Sequence, residues 1–267
     1  MERTLIEELK IWMDKRNRKP LILRGARQVG KTWLLKEFGR ICFKNVCYVN
    51  CEQKEALEQI FSGNLVPNKI IEQLSVFCGF RIEPQTTLII LDEVQEIPRA
   101  LTSLKYFSEE APQYAICCAG SLLGVALHEG TSFPVGKVEF LDLYPLSFRE
   151  FLLANGEDML VNYVLNDGHR DLTVFADKLT DYLKRYFVIG GMPSAVLKWL
   201  ETHDYLEVDD VQKQLVAAYV NDFSKHAPRQ MVEKIRYVWD CIPSQLAKEN
   251  KKFIYGLVRE GARAREY

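Results

Sequence analysis

A chain of 267 residues is long enough for one large core with a second, smaller unit. Its 48% hydrophobic and 27% charged residues are those of a soluble globular protein, and its formal net charge of −1 gives no global pull toward nucleic acid or anionic membrane. No apolar run approaches the roughly 18–20 residues that cross a bilayer, so no membrane partner is expected. The charged start Met1-Glu2-Arg3-Thr4-Leu5 lacks the apolar core of a secretion signal. Seven cysteines, an odd number with no C-x-x-C pair, point to reduced structural thiols and hence to a cytoplasmic location.

In chain order, the first element is a helix over residues 5–13, with apolar Leu5, Leu9, Trp12 and Met13 on one face. Next, the apolar run Pro20-Leu21-Ile22-Leu23 leads into Gly25-Ala26-Arg27-Gln28-Val29-Gly30-Lys31-Thr32, which spells G-x-x-x-x-G-K-[ST], and residues 33–38 read as a helix. Backbone amides of such a turn wrap phosphates, and the following helix adds the positive end of its dipole. Lys31 would reach the β- and γ-phosphates and the Thr32 hydroxyl would hold Mg²⁺. The nucleotide-contacting set is therefore Gly25, Ala26, Arg27, Gln28, Val29, Gly30, Lys31, Thr32 and Trp33.

Further apolar runs follow at residues 46–49, 88–91 and 114–119, with a weaker one at 138–143, alternating with helical patterns. Continuous apolar strands separated by helices indicate a parallel sheet covered on both faces, a doubly wound α/β domain. Right-handed crossovers then bring the loops after all strands to one edge, the edge that holds the glycine loop.

The run Thr87-Leu88-Ile89-Ile90-Leu91 ends in Asp92-Glu93. Asp92 sits where a carboxylate would hold Mg²⁺ through its water shell, and Glu93 is placed to orient or deprotonate the attacking water. Consecutive strand residues face opposite sides, so Glu93 serves only if the strand ends and turns there. A GTPase would carry Asp-x-x-Gly here and a later Asn-Lys-x-Asp; this chain has Asp92-Glu93-Val94-Gln95. ATP with Mg²⁺ is the expected ligand pair. The run Tyr114-Ala115-Ile116-Cys117-Cys118-Ala119 ends in Gly120-Ser121. Ser121 fits two readings, a sensor of the γ-phosphate or a helix N-cap. Asn50 fits a turn better than a partner for Glu93.

With these elements in order the chain resembles the AAA-superfamily ATPases. More narrowly, it is similar to bacterial and archaeal AAA-like ATP-binding proteins that carry a C-terminal domain of unknown function. The resemblance rests on residues 24–32, Leu91-Asp92-Glu93-Val94-Gln95, Ala119-Gly120-Ser121, Tyr144-Pro145-Leu146-Ser147-Phe148-Arg149-Glu150-Phe151 and Gly190-Gly191-Met192-Pro193. It implies a P-loop sheet of order 5-1-4-3-2, with the Asp-Glu strand one strand away from the loop strand. It also implies a chain that continues into a complete winged helix and a further domain; here the winged helix is expected to be partial and the further domain missing.

The expected organisation is an ATPase domain over 1–150, a helical subdomain over 151–224 and a partial winged helix over 225–267. From Lys225 onward ten Lys and Arg stand against five acids. That segment either packs as a solvated helical face, the favoured reading, or rests weakly on nucleic-acid phosphates. Arg27, Arg99, Lys137 and Arg149, or a side chain from a homo-oligomer or protein partner, are candidates to neutralise transition-state charge. The expected function is ATP hydrolysis to ADP and phosphate driving a conformational change, with Lys31, Glu93 and Ser121 in catalysis and Thr32 and Asp92 on the metal. The alternative is a nucleotide-dependent switch or interaction module with little turnover.

Overall fold

Side-chain alternation along the strands decides the architecture. A computed structural model describes residues 1–120, 134, 136–166, 172–226, 229–248 and 252–258. Strands β1 (Leu21–Arg24), β2 (Asn45–Asn50), β3 (Thr87–Asp92), β4 (Ala115–Ala119) and β5 (Glu139–Asp142) form one parallel sheet of order β2-β3-β4-β1-β5. Read from the other edge this is the expected 5-1-4-3-2, with β4 between the loop strand β1 and the Asp-Glu strand β3.

Leu21 and Leu23 of β1, Leu88 and Ile90 of β3 and Ala115 and Cys117 of β4 face one core. There they meet Leu9 and Trp12 of helix α1 (Leu5–Met13) and Leu34, Leu35 and Phe38 of α2 (Lys31–Cys42). The intervening Ile22, Ile89, Leu91, Ile116 and Cys118 face a second core. Its cover is α3 (Lys54–Ser62), α4 (Pro67–Cys78) and α5 (Pro98–Glu110), through Leu57, Phe61, Ile70, Leu74, Leu101, Leu104 and Phe107. Period-two strands with both faces apolar can be buried only in this three-layer way. Phe38 is fully buried, so its truncation to alanine would cost about 3–5 kcal/mol.

Beyond the sheet come α6 (Phe148–Ala154), α7 (Asp158–Asn166), α8 (Ala176–Ile189), α9 (Pro193–Thr202) and α10 (Tyr205–His226). The chain divides into two units, Met1–Asp209 and Asp210–Tyr267. In the second, Tyr219 stacks on Trp239 of α11 (Arg229–Leu246) with ring centroids 5.8 Å apart. Gln245 exchanges two hydrogen bonds with the Ile254 backbone, at 2.8 and 3.0 Å. Ser244 does not begin a fresh helix. Instead α11 runs through Pro243 to Leu246, and a 3-10 turn at Tyr255–Leu257 follows. Among the described residues of 225–267 there is no strand.

Candidate active site

All five strands end at one edge, and the glycine loop hangs from β1 there. A β-carbon on Gly25 would lie 2.3 Å from the Leu143 carbonyl oxygen at the end of β5, so only glycine lets these two backbones meet. Gln28 takes left-handed φ at 64°, an uncommon conformation for a residue with a side chain. Lys31 is buried to 7% exposure and its Nζ donates to the carbonyls of Gly25 and Ala26, at 3.0 and 2.9 Å. Burial lowers its pKa below the ordinary lysine value; Glu93 and Asp92 oppose that, and Arg27 adds to it.

Every residue of β3 is buried, including Asp92 at its end. The Thr32 hydroxyl donates to Asp92 Oδ2 at 2.8 Å, so the two proposed metal-side residues meet across the loop. Tyr48 of β2 donates to the same oxygen at 2.9 Å, and the Glu93 amide donates to Oδ1 at 3.2 Å. The Lys36 ammonium lies 3.5 Å from the centre of the Tyr48 ring. Burial, then the bond to Asp92, pushes the Tyr48 hydroxyl above the ordinary tyrosine range. The Cys51 thiol, buried beneath this corner and beside Asp92 and Glu93, is pushed up to about 12. Nothing in the sequence pattern singled out Tyr48; its partner is 44 residues away.

The strand ends where Glu93 needs it to. Glu93 adopts φ 49°, ψ 45°, and a 3-10 turn over Val94–Glu96 follows. Gln95 Nε2 donates to Glu93 Oε2 at 2.6 Å. Asn50 behaves as a turn residue: its Oδ1 accepts from the Glu52 amide at 3.0 Å. β4 ends at Ala119, and Ser121 lies outside the described residues.

The two motifs distant from the loop meet each other next to it. Ser147 and Glu150 form a capping box on α6, a pairing that the S-x-x-E spacing encodes and that the sequence reading passed over. Glu150 Oε1 also accepts from the Thr4 amide at 2.8 Å and from Arg3 Nε at 3.1 Å. Arg3 continues to Val29 O in the glycine loop at 2.8 Å and to Tyr144 O at 2.5 Å. Burial raises the Glu150 pKa, but the Ser147 and Thr4 amides and Arg3 outweigh it, and the carboxyl stays below its usual range. Leu146 N donates to Gly191 O at 2.6 Å; a β-carbon on Gly191 would sit 2.2 Å from Leu146 O. Beside Gly30 these pieces enclose a cavity of about 260 Å³ lined by Met1, Arg3, Gly30, Trp33, Leu146, Pro193 and Leu197.

The candidate cations divide. Arg99 donates to the Phe61 and Gly63 carbonyls, and Lys137 pairs with Glu109 at 2.9 Å; Arg24, outside the candidate set, makes two 2.8 Å bonds to Asp142. Arg149 is exposed. All seven cysteines are free thiols. Among the described residues no helix is long and apolar enough to cross a membrane.

A family model described as an AAA domain matches residues 17–152, just over half of the chain. A second, described as a domain of unknown function, matches residues 180–267. No curated protein sequence matches. Among solved structures, a Walker-type ATPase of Pyrococcus abyssi aligns at 16% identity over 95% of this chain and 86% of that one, with a TM-score of 0.54. The ADP form of the Aeropyrum pernix ORC2 protein aligns at 15% identity over 97% and 78%, with a TM-score of 0.48. The first likeness is one of fold. Membership rests on the sequence match over the very segment that builds the sheet and its loop edge: the chain belongs to the AAA family of P-loop ATPases.

Proposed function

We propose that this protein binds ATP with Mg²⁺ and hydrolyses it to ADP and phosphate, and that the cycle drives a conformational change. The observation that carries the reading is the meeting of three features at one sheet edge: Lys31 in the loop, the Thr32–Asp92 contact of 2.8 Å and the turn that frees Glu93 from β3. Thr32 and Asp92 offer only oxygen donors, the ligand type that suits Mg²⁺. An ion held by Thr32 and Asp92 would complete its shell with phosphate oxygens and water. Bound there, the ion would neutralise charge building on the phosphate oxygens.

The chain's own residues supply the rest. Lys31 would exchange its two loop carbonyls for phosphate oxygens. Glu93 would take a proton from water as the water oxygen attacks the γ-phosphorus and the bond to the ADP oxygen breaks. We place the base in the apolar cavity beside Gly30, against Trp33, Pro193 and Leu197. Arg99 and Lys137 have partners elsewhere, so the transition-state cation would come from Arg27, Arg149, a second copy or a partner protein. Seven free thiols fit a cytoplasmic setting.

Phosphate release from ATP tests the reading. Glu93→Gln should retain ATP binding while its kcat falls by about 10²–10⁴, the usual range for loss of a general base. Unchanged turnover in that variant contradicts the assignment, and ATP binding without turnover in the wild type leaves a nucleotide switch.

A further inference from the structure

We propose that Gln95 is a positioning residue for the water-activating carboxylate of Glu93, an inference that rests on the hydrolytic reading above. The left-handed conformation of Glu93 and the 3-10 turn after it fold residue 95 back beside residue 93, so two side chains that a strand would separate lie in contact. Gln95 is 4% exposed, and its Nε2 stands 2.6 Å from Glu93 Oε2. A carboxylate only accepts hydrogen bonds, so the amide must present its NH₂ group to it. That choice leaves Gln95 Oε1 buried without a protein donor. A buried acceptor left unmatched is unfavourable, and the orientation persists because the bond to the carboxylate holds it.

A glutamate at a turn tip has several rotamers, and only some aim its carboxylate at a water in line with the γ-phosphate. A single short charge-assisted hydrogen bond selects among them before the reaction begins, which is the pre-organisation that positioned bases require. Asn50, paired in register with Asp92 at the end of β2, uses its Oδ1 within its own turn. Gln95 thus acts through Glu93 and touches neither the nucleotide nor the metal.

The test is a double-mutant cycle on full-length protein, reading kcat and KM for ATP by phosphate release. Gln95→Met keeps the volume and removes the hydrogen bond; Gln95→Ala serves as a second variant, with melting temperature recorded for both. The expected result is a kcat lowered about 10- to 100-fold in Gln95→Met, the scale of a misplaced catalytic group, with KM unchanged. In the Glu93→Gln background the same substitution should have no further effect. Wild-type kcat in folded Gln95→Met overturns the proposal and leaves the hydrolytic reading standing. So does an equal loss in both backgrounds, which marks a purely structural role. Wild-type protein that releases no phosphate, or Glu93→Gln that turns over normally, overturns the hydrolytic reading and this proposal with it.

Discussion

Asp92 gathers three donors onto its two oxygens, Thr32 and Tyr48 on Oδ2 and the Glu93 amide on Oδ1. A carboxylate buried to 5% exposure needs such company, because an unmatched charge is costly away from water. Tyr48→Phe removes one of the three. It should lower stability by about 1–2 kcal/mol, at the lower end for a bond to a charged group since two donors remain. Urea unfolding would show the change as a shifted midpoint with an unaltered slope. Lys31, Thr32, Asp92 and Glu93 were legible in the sequence because their chemistry is local, fixed by a short loop and by the end of one apolar strand. Tyr48 and Gln95 were not. The first needs the β2–β3 register, and the second needs a left-handed turn at Glu93, a conformation that no propensity assigns to glutamate.

Among the elements, the clamp between the N-terminus and α6 is the least obvious from sequence. Arg3 and Glu150 are 147 residues apart, and both are buried. Their pair joins the glycine loop, through Val29 O, to the segment after β5, through Tyr144 O. Glu150→Ala leaves the Arg3 charge buried and should cost about 3–5 kcal/mol. The pH dependence has a definite sign. The folded-state pKa of Glu150 is lowered, so its contribution is present above the unfolded value of about 4.3 and is lost as pH falls through the folded value. Stability measured from pH 7 downward should therefore drop less steeply at the acid end in Glu150→Ala than in wild type. The strands themselves were readable, because buried parallel strands are short apolar runs bounded by turns. The end of helix α11 is not readable from sequence, because Pro243 usually starts or stops a helix and here lies inside one.

For the whole molecule, the two family matches cover residues 17–152 and 180–267, while the chain divides into compact units between Asp209 and Asp210. The change from apolar strand runs to helical patterns near residue 150 lies close to the end of the first match, whereas helical periodicity runs unbroken across Asp209 and gives no sign of the second division. If ATP binds folded Met1–Asp209 and not its unfolded chain, a hundredfold excess over Kd adds about 2.7 kcal/mol. For a unit of this size that is a rise of roughly 5–10 °C in the melting transition, and Lys31→Ala should abolish it.

The most direct measurement is a structure of the protein with Mg²⁺ and a non-hydrolysable ATP analogue. The account predicts phosphates on the backbone amides of residues 25–32, and Lys31 Nζ moved from the Gly25 and Ala26 carbonyls to phosphate oxygen. It also predicts the ion beside Thr32 and Asp92, and the base against Trp33 and Pro193. An analogue bound elsewhere, or a Lys31 still holding both carbonyls beneath it, would contradict the account.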